Sequence, residues 1–130
     1  PEPFFPWKGI LLGLRAEVDL SREELIDKVH AATGEIPHVC AGGKERIRRI
    51  GLITGGAGSQ IYDLGNSGID TFITGEGPHW SYTAAEELGI NLIYAGHYAT
   101  ETFGVKALAE RWVRQFRGLE VEFIDHPTGL

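Results

Sequence analysis

Methionine is absent from these 130 residues, and cysteine occurs once, at Cys40. A single thiol excludes an internal disulfide and fits a reducing compartment. No apolar run approaches the ~20 residues that cross a bilayer, so no membrane partner is expected. Basic clusters are equally scarce. Apart from Lys44 to Arg49 the cations are scattered, and the formal net charge is −6, which argues against nucleic acid or an anionic membrane as the main partner. The cytoplasm is the expected location. Pro1 opens no recognisable signal peptide, and a chain without methionine reads either as a mature chain that lost its initiator or as a piece of something longer.

A composition of 42% hydrophobic and 23% charged residues predicts one soluble domain over residues 1–130, large enough to bury a core. Residues 1–8 form an exception. Pro1 to Trp7 is too proline-rich for a helix or a central strand and reads as an extended aromatic arm. Ile10 to Val18 alternates as a strand. Asp19 to Gly34 then carries the signals of a helix: Ser21 and Glu24 spaced as a capping box, Leu20 and Leu25 as a hydrophobic staple, Leu25, Val29 and Ala32 on one face, and Gly34 at the end. Ile36 to Ala41 predicts a short strand.

From Ile47 onward strands and helices alternate. Strand 47–54 precedes helix 59–66, strand 69–74 precedes helix 79–88, strand 90–95 precedes helix 100–116, and a final strand is expected at 119–124. This order predicts an α/β fold with a mostly parallel sheet flanked by helices. In the last helix Val105, Leu108, Ala109, Trp112 and Phe116 share a face, which is expected to pack on the core.

Ligands bind parallel sheets at the carboxyl ends of the strands, and three such ends here carry unusual residues. Thr54-Gly55-Gly56-Ala57-Gly58-Ser59 is a glycine turn opening a helix; the N–H groups of Gly55, Gly56, Gly58 and Ser59 are candidates for binding an anion, although the spacing matches no phosphate-loop motif. A plain tight turn is the alternative. Glu76 and His79 follow the next strand, where they are either cleft residues or caps of the following helix. His97 follows the third strand, four residues before Glu101, a spacing that lets an imidazole and a carboxylate share one metal ion. Glu101 and Thr100 also read as first-turn caps. His30, His38 and His126 lack a partner at fixed spacing and read as solvated or locally bonded; Cys40 reads as core, and Arg46, Arg48 and Arg49 as a solvated strand face.

The segments I-T-G-G-A-G-S, D-T-F-I-T-G-E-G-P-H, N-L-I-Y-A-G-H-Y-A-T-E-T-F-G-V and L-E-V-E-F-I-D-H-P resemble the carboxyl-terminal half of the GTP cyclohydrolase I type 2 homologues, the NGG-one interacting factor three-like proteins. The resemblance covers nearly the whole chain and is strongest from Ile50 to Pro127. It implies a usually cytoplasmic α/β protein assembled as a toroidal homohexamer, with two divalent metal ions per complete subunit. It also implies a hydrolase-like activity on a nucleotide-like or related substrate that is itself unidentified. By resemblance His97 and Glu101 are metal ligands, catalytic residues stay unassigned, and zinc, manganese and iron are not distinguished. The family's remaining ligands, a His-His pair and an aspartate, lie in an amino-terminal half, and adjacent histidines are absent here. Two other readings compete with metal-assisted hydrolysis. One is a non-catalytic oligomeric scaffold with a structural metal or none, favoured by Phe4, Phe5 and Trp7 in the arm; the other is an inert half.

Overall fold

The computed structural model describes residues 1–129. Strand β1 (Glu2–Trp7) pairs antiparallel with β2 (Ile10–Ser21), and the two-residue loop between them has positive φ at both Lys8 (48°) and Gly9 (82°). That is the backbone of a type I′ hairpin, whose twist matches that of the strands. The extended arm expected at residues 1–8 is a paired edge strand over Glu2–Trp7. Pro3 and Pro6 are tolerated there because a strand at the rim leaves one row of N–H positions unused.

Helix α1 (Arg22–Thr33) realises its local signals. The Glu24 N–H donates to Ser21 Oγ at 3.1 Å, the Ser21 N–H donates to the Glu24 carboxylate at 2.7 Å, and Gly34 ends the helix in the left-handed region at φ 79°. Next come β3 (His38–Ala41), β4 (Arg46–Leu52), a 3₁₀ turn (Ala57–Gln60) running into α2 (Ile61–Gly65), and β5 (Thr71–Thr74). The chain continues through α3 (Trp80–Leu88), β6 (Asn91–Tyr94) and α4 (His97–Gln115).

The six strands form one sheet in the order β1-β2-β4-β5-β6-β3. Its class is α/β, and it is mixed: β4, β5 and β6 are mutually parallel, whereas the β1–β2, β2–β4 and β3–β6 pairs are antiparallel. Pleating splits the core between the two faces. Phe72 and Leu92 pack with Ile61, Leu64, Ala84 and Ala85 of α2 and α3, while the adjacent residues Ile73 and Ile93 pack with Leu25 and Val29 of α1.

The carboxyl-terminal part differs from expectation. Helix α4 begins at His97, three residues early, and its apolar face is exposed: Val105, Leu108, Trp112 and Phe116 all stand in solvent. Residues 119–124 form no strand. They run back along α4, where Lys106 Nζ lies 4.6 Å from the Phe123 ring centroid and the Tyr98 hydroxyl donates to Asp125 Oδ1 at 3.0 Å. An alternating segment becomes a strand only where a sheet edge meets it, and this one meets a helix.

Candidate metal centre

The sheet ladder continues past the carboxyl ends of β4, β5 and β6. Gly75 and Glu76 both donate their N–H to Gly55 O, at 2.8 and 3.1 Å, and the Gly96 N–H donates to Gly75 O at 3.0 Å. The three connecting loops therefore lie side by side, with their first residues in fixed register. Two glycines permit this closeness. A side chain at Gly75 would place its Cβ 2.7 Å from both Gly55 O and His97 Cα, and one at Gly55, where φ is 71°, would place it 2.6 Å from Glu101 Oε1.

Helix α4 starts where this ladder ends, so His97 is its first residue and Glu101 lies one turn further on the same side. Thr100 ties the start down. Its hydroxyl accepts from the Gly55 N–H at 3.0 Å and donates to His97 O at 3.0 Å, joining the helix to the glycine turn. Thr74 does the same from β5, donating to Gly55 O at 3.0 Å and accepting from the Ala57 N–H at 3.2 Å. The structural weight of Thr74 escapes pattern reading; the available signal is a fully buried hydroxyl at the carboxyl end of β5.

These constraints bring three ionisable side chains together. His97 Nδ1 lies 2.7 Å from Glu76 Oε1, and His97 Nε2 lies 3.2 Å from Glu101 Oε1, with about a third of the imidazole exposed. The hydrogen bond that the His97 ring donates to Glu76 and the charge of Glu101 raise the His97 pKa above the ordinary imidazole range, against the opposing effect of burial. Glu76 does not cap the next helix: α3 has no side-chain cap and no acid in its first turn. His79, the residue before α3, is exposed, and its ring takes part in no hydrogen bond or ion pair among the described residues. The structure thus joins Glu76 to His97 and Glu101 and leaves His79 apart.

At the glycine turn the N–H groups of Gly55, Ala57 and Gly58 are already engaged, by Thr100 Oγ1, Thr74 Oγ1 and Glu76 O. Those groups brace the loops and do not form an open cradle. Elsewhere His30 Nδ1 bonds Glu35 O at 2.8 Å, the His38 ring stacks on Tyr94, and Cys40 is buried in the core.

Among the described residues no group of three or more His, Cys, Asp or Glu is arranged to hold a metal ion. The geometry supplies the reason. Glu76 and Glu101 address opposite nitrogens of one ring, and a single ion takes only one of them. In the neutral imidazole, with Nδ1–H donating to Glu76, the lone pair falls on Nε2, on the side of Glu101. This is how a carboxylate sets the tautomer of a ligating histidine. The donor pair left over, one imidazole nitrogen and one carboxylate, suits zinc, manganese or iron.

The family model of Duf34/NIF3 (NGG1p interacting factor 3) matches residues 7–129. The chain is 38% identical over 131 residues to the GTP cyclohydrolase 1 type 2 homolog of Deinococcus radiodurans, covering 99% of this chain and 49% of that protein. Among solved structures it is similar to protein ybgI, described as of unknown function, with a TM-score of 0.82, 35% identity, and coverage of 92% of this chain and 49% of that one. It is similar also to TTHA1606 from Thermus thermophilus, with a TM-score of 0.79, 39% identity, and coverage of 96% and 50%. The chain spans about half the length of the curated relatives it matches.

Proposed function

The chain belongs to the Duf34/NIF3 family, and from that premise we propose that it carries part of a divalent-metal centre of a hydrolase acting on a nucleotide-like substrate. His97 Nε2 and Glu101 are its donors. The observation that carries this reading is the pairing of His97 Nδ1 with Glu76 at 2.7 Å, which leaves Nε2 turned toward Glu101 at the carboxyl edge of the parallel strands.

When bound, a divalent ion supplies Lewis acidity and a water of lowered pKa. The chain's own residues set up that chemistry. Glu76 holds the imidazole in one tautomer and one orientation, and Thr100 fixes the helix turn carrying both donors. Glu101, with 59% of its side chain exposed, is open to an ion arriving from solvent. Two protein donors are fewer than the three used by catalytic zinc sites. The missing donors belong, in this proposal, to the part of the longer relatives outside the match, and the exposed apolar face of α4 supports a reading in which this chain is covered by further protein in a homo-oligomer.

The test is a zinc titration of the 130-residue chain against a chromophoric chelator, with His97→Ala and Glu101→Gln alongside. Weak zinc binding, with solvent completing the two protein donors, is expected, lost in His97→Ala and weakened further in Glu101→Gln. Identical titrations of the three proteins overturn the assignment.

A further inference from the structure

The tip of the β1–β2 hairpin lies beside the glycine turn and borders with it an open groove of about 250 Å³, lined by Phe5, Trp7, Leu12, Thr54, Gly56 and Gln60 among others. Pockets for whole drug-sized ligands begin at about 300 Å³, so this one is sized for a ring system and not for a complete nucleotide. It adjoins the metal corner directly. A Cβ at Gly56 would lie 3.4 Å from His97 Cε1 and 3.6 Å from Glu76 Oε1, so the groove and the imidazole are separated by one residue that has no side chain.

The aromatic lining is held in place at a conformational cost. Phe5 has φ 60°, a left-handed backbone that a bulky side chain rarely adopts. The consequence is visible in the packing: Phe4 and Phe5 are consecutive residues of one strand, yet both pack against the same core cluster, with ring centroids 6.4 Å apart. Regular alternation would send Phe5 to the opposite face and remove its ring from the groove. Trp7 is 45% exposed, and its indole is oriented by Lys8 Nζ, 4.3 Å from the ring centroid. Gln60 donates to Ser59 Oγ at 3.3 Å, and its side-chain oxygen takes part in no hydrogen bond among the described residues.

We infer that this groove seats a planar heteroaromatic ring of the substrate, stacked against Trp7 and Phe5 and read at its edge by the Gln60 amide, with the reacting substituent directed past Gly56 toward His97 and Glu101. The inference rests on the metal-centre reading for its orientation and on the groove alone for binding. The two can therefore fail separately.

The experiment is a ¹H–¹⁵N titration of the 130-residue chain with guanosine and with adenosine, and with ribose as the ring-free control, in the absence of metal. Either nucleoside is expected to move the Trp7 indole N–H and the Gln60 side-chain amide, and ribose to move neither. Trp7→Ala should weaken binding about tenfold, the scale of one base–aromatic stack. Gln60→Ala should weaken it severalfold, and reads the same groove if Trp7→Ala disturbs the hairpin. Absence of any shift with either nucleoside, or unchanged affinity in Gln60→Ala together with a folded Trp7→Ala, overturns the inference even if zinc binds. Nucleoside binding in a chain that takes no zinc supports the groove and removes the metal centre.

Discussion

Gly55→Ala separates a backbone cost from a site cost. Gly55 has φ 71°, and holding an L-residue in the left-handed region costs about 1–2 kcal/mol. The added Cβ would also sit 2.6 Å from Glu101 Oε1 and 3.4 Å from His97 Nε2. That carboxylate is the far end of a flexible side chain with 59% exposure, so it swings away and adds little to the loss of stability. Gly89→Ala is the matched control. Gly89 has φ 68°, ends α3, and has nothing within 4 Å of a built Cβ. Both substitutions should lower the melting temperature by a similar amount, about 3–10 °C for a chain of this size. Zinc affinity should separate them. With Glu101 displaced and the Nε2 lone pair crowded, Gly55→Ala should bind zinc at least about tenfold more weakly, the lower end of what supporting groups contribute, and Gly89→Ala should match the wild type. Equal zinc affinity in the two variants would refute the placement of Glu101 as a donor facing that turn.

Four further outcomes follow from the packing and the charges. Ser21→Ala removes the cap of α1 and should cost about 1 kcal/mol in denaturant unfolding. Glu24, held below the usual carboxylate range by its hydrogen bonds to Ser21, stabilises the fold above its unfolded pKa. That contribution is lost as pH falls through the lower folded value, so Glu24→Gln should flatten the acid limb of the stability curve, and an unchanged limb counts against the box. Burial pushes the Cys40 thiol up and leaves it 1% exposed; a chromogenic disulfide should modify it at least about tenfold faster in urea than in the native chain, and equal rates would show the site to be open. Trp112→Glu, on the exposed face of α4, should change stability of the isolated chain by less than about 0.5 kcal/mol, and a loss above about 2 kcal/mol would mean that this face is packed.

The parts of the fold legible in the sequence are those fixed by near neighbours. Ser21, Glu24 and Gly34 announce α1 because a cap is a contact over three or four residues, and all three act as expected. Pairing over long separations is not legible in that way. Nothing local says that β3 crosses to the far side of β6, with Val39 opposite Ile93, or that Glu2–Trp7 finds an edge on β2. Residues 119–124 mislead for the converse reason. Leu119, Val121 and Phe123 alternate with Glu120 and Glu122 as a half-buried strand does, but alternation states what a segment needs and not whether an edge is present. The stripe on α4 misleads in the same sense, since an apolar face predicts a partner without naming the chain that supplies it.

At the site, the same distinction decides which residues come together. His97 and Glu101 meet because four residues of helix bring them to one side, which spacing alone shows. Glu76 is 21 positions from His97, and its arrival is a consequence of register. Strands β5 and β6 are parallel neighbours with Thr74 opposite Tyr94, so Glu76, two residues past the first, is carried level with the loop that ends at Gly96. Strands β4 and β5 pair Leu52 with Ile73, so Gly55 and Glu76, each three residues further along, face one another and form the observed N–H to O bond. A parallel sheet thus converts equal offsets past its strand ends into spatial neighbours. Once β4, β5 and β6 are known to be adjacent, Gly55, Glu76 and Gly96 must fall in one row with His97 the next residue, and the glycine at position 55 leaves room for the carboxylate of Glu101.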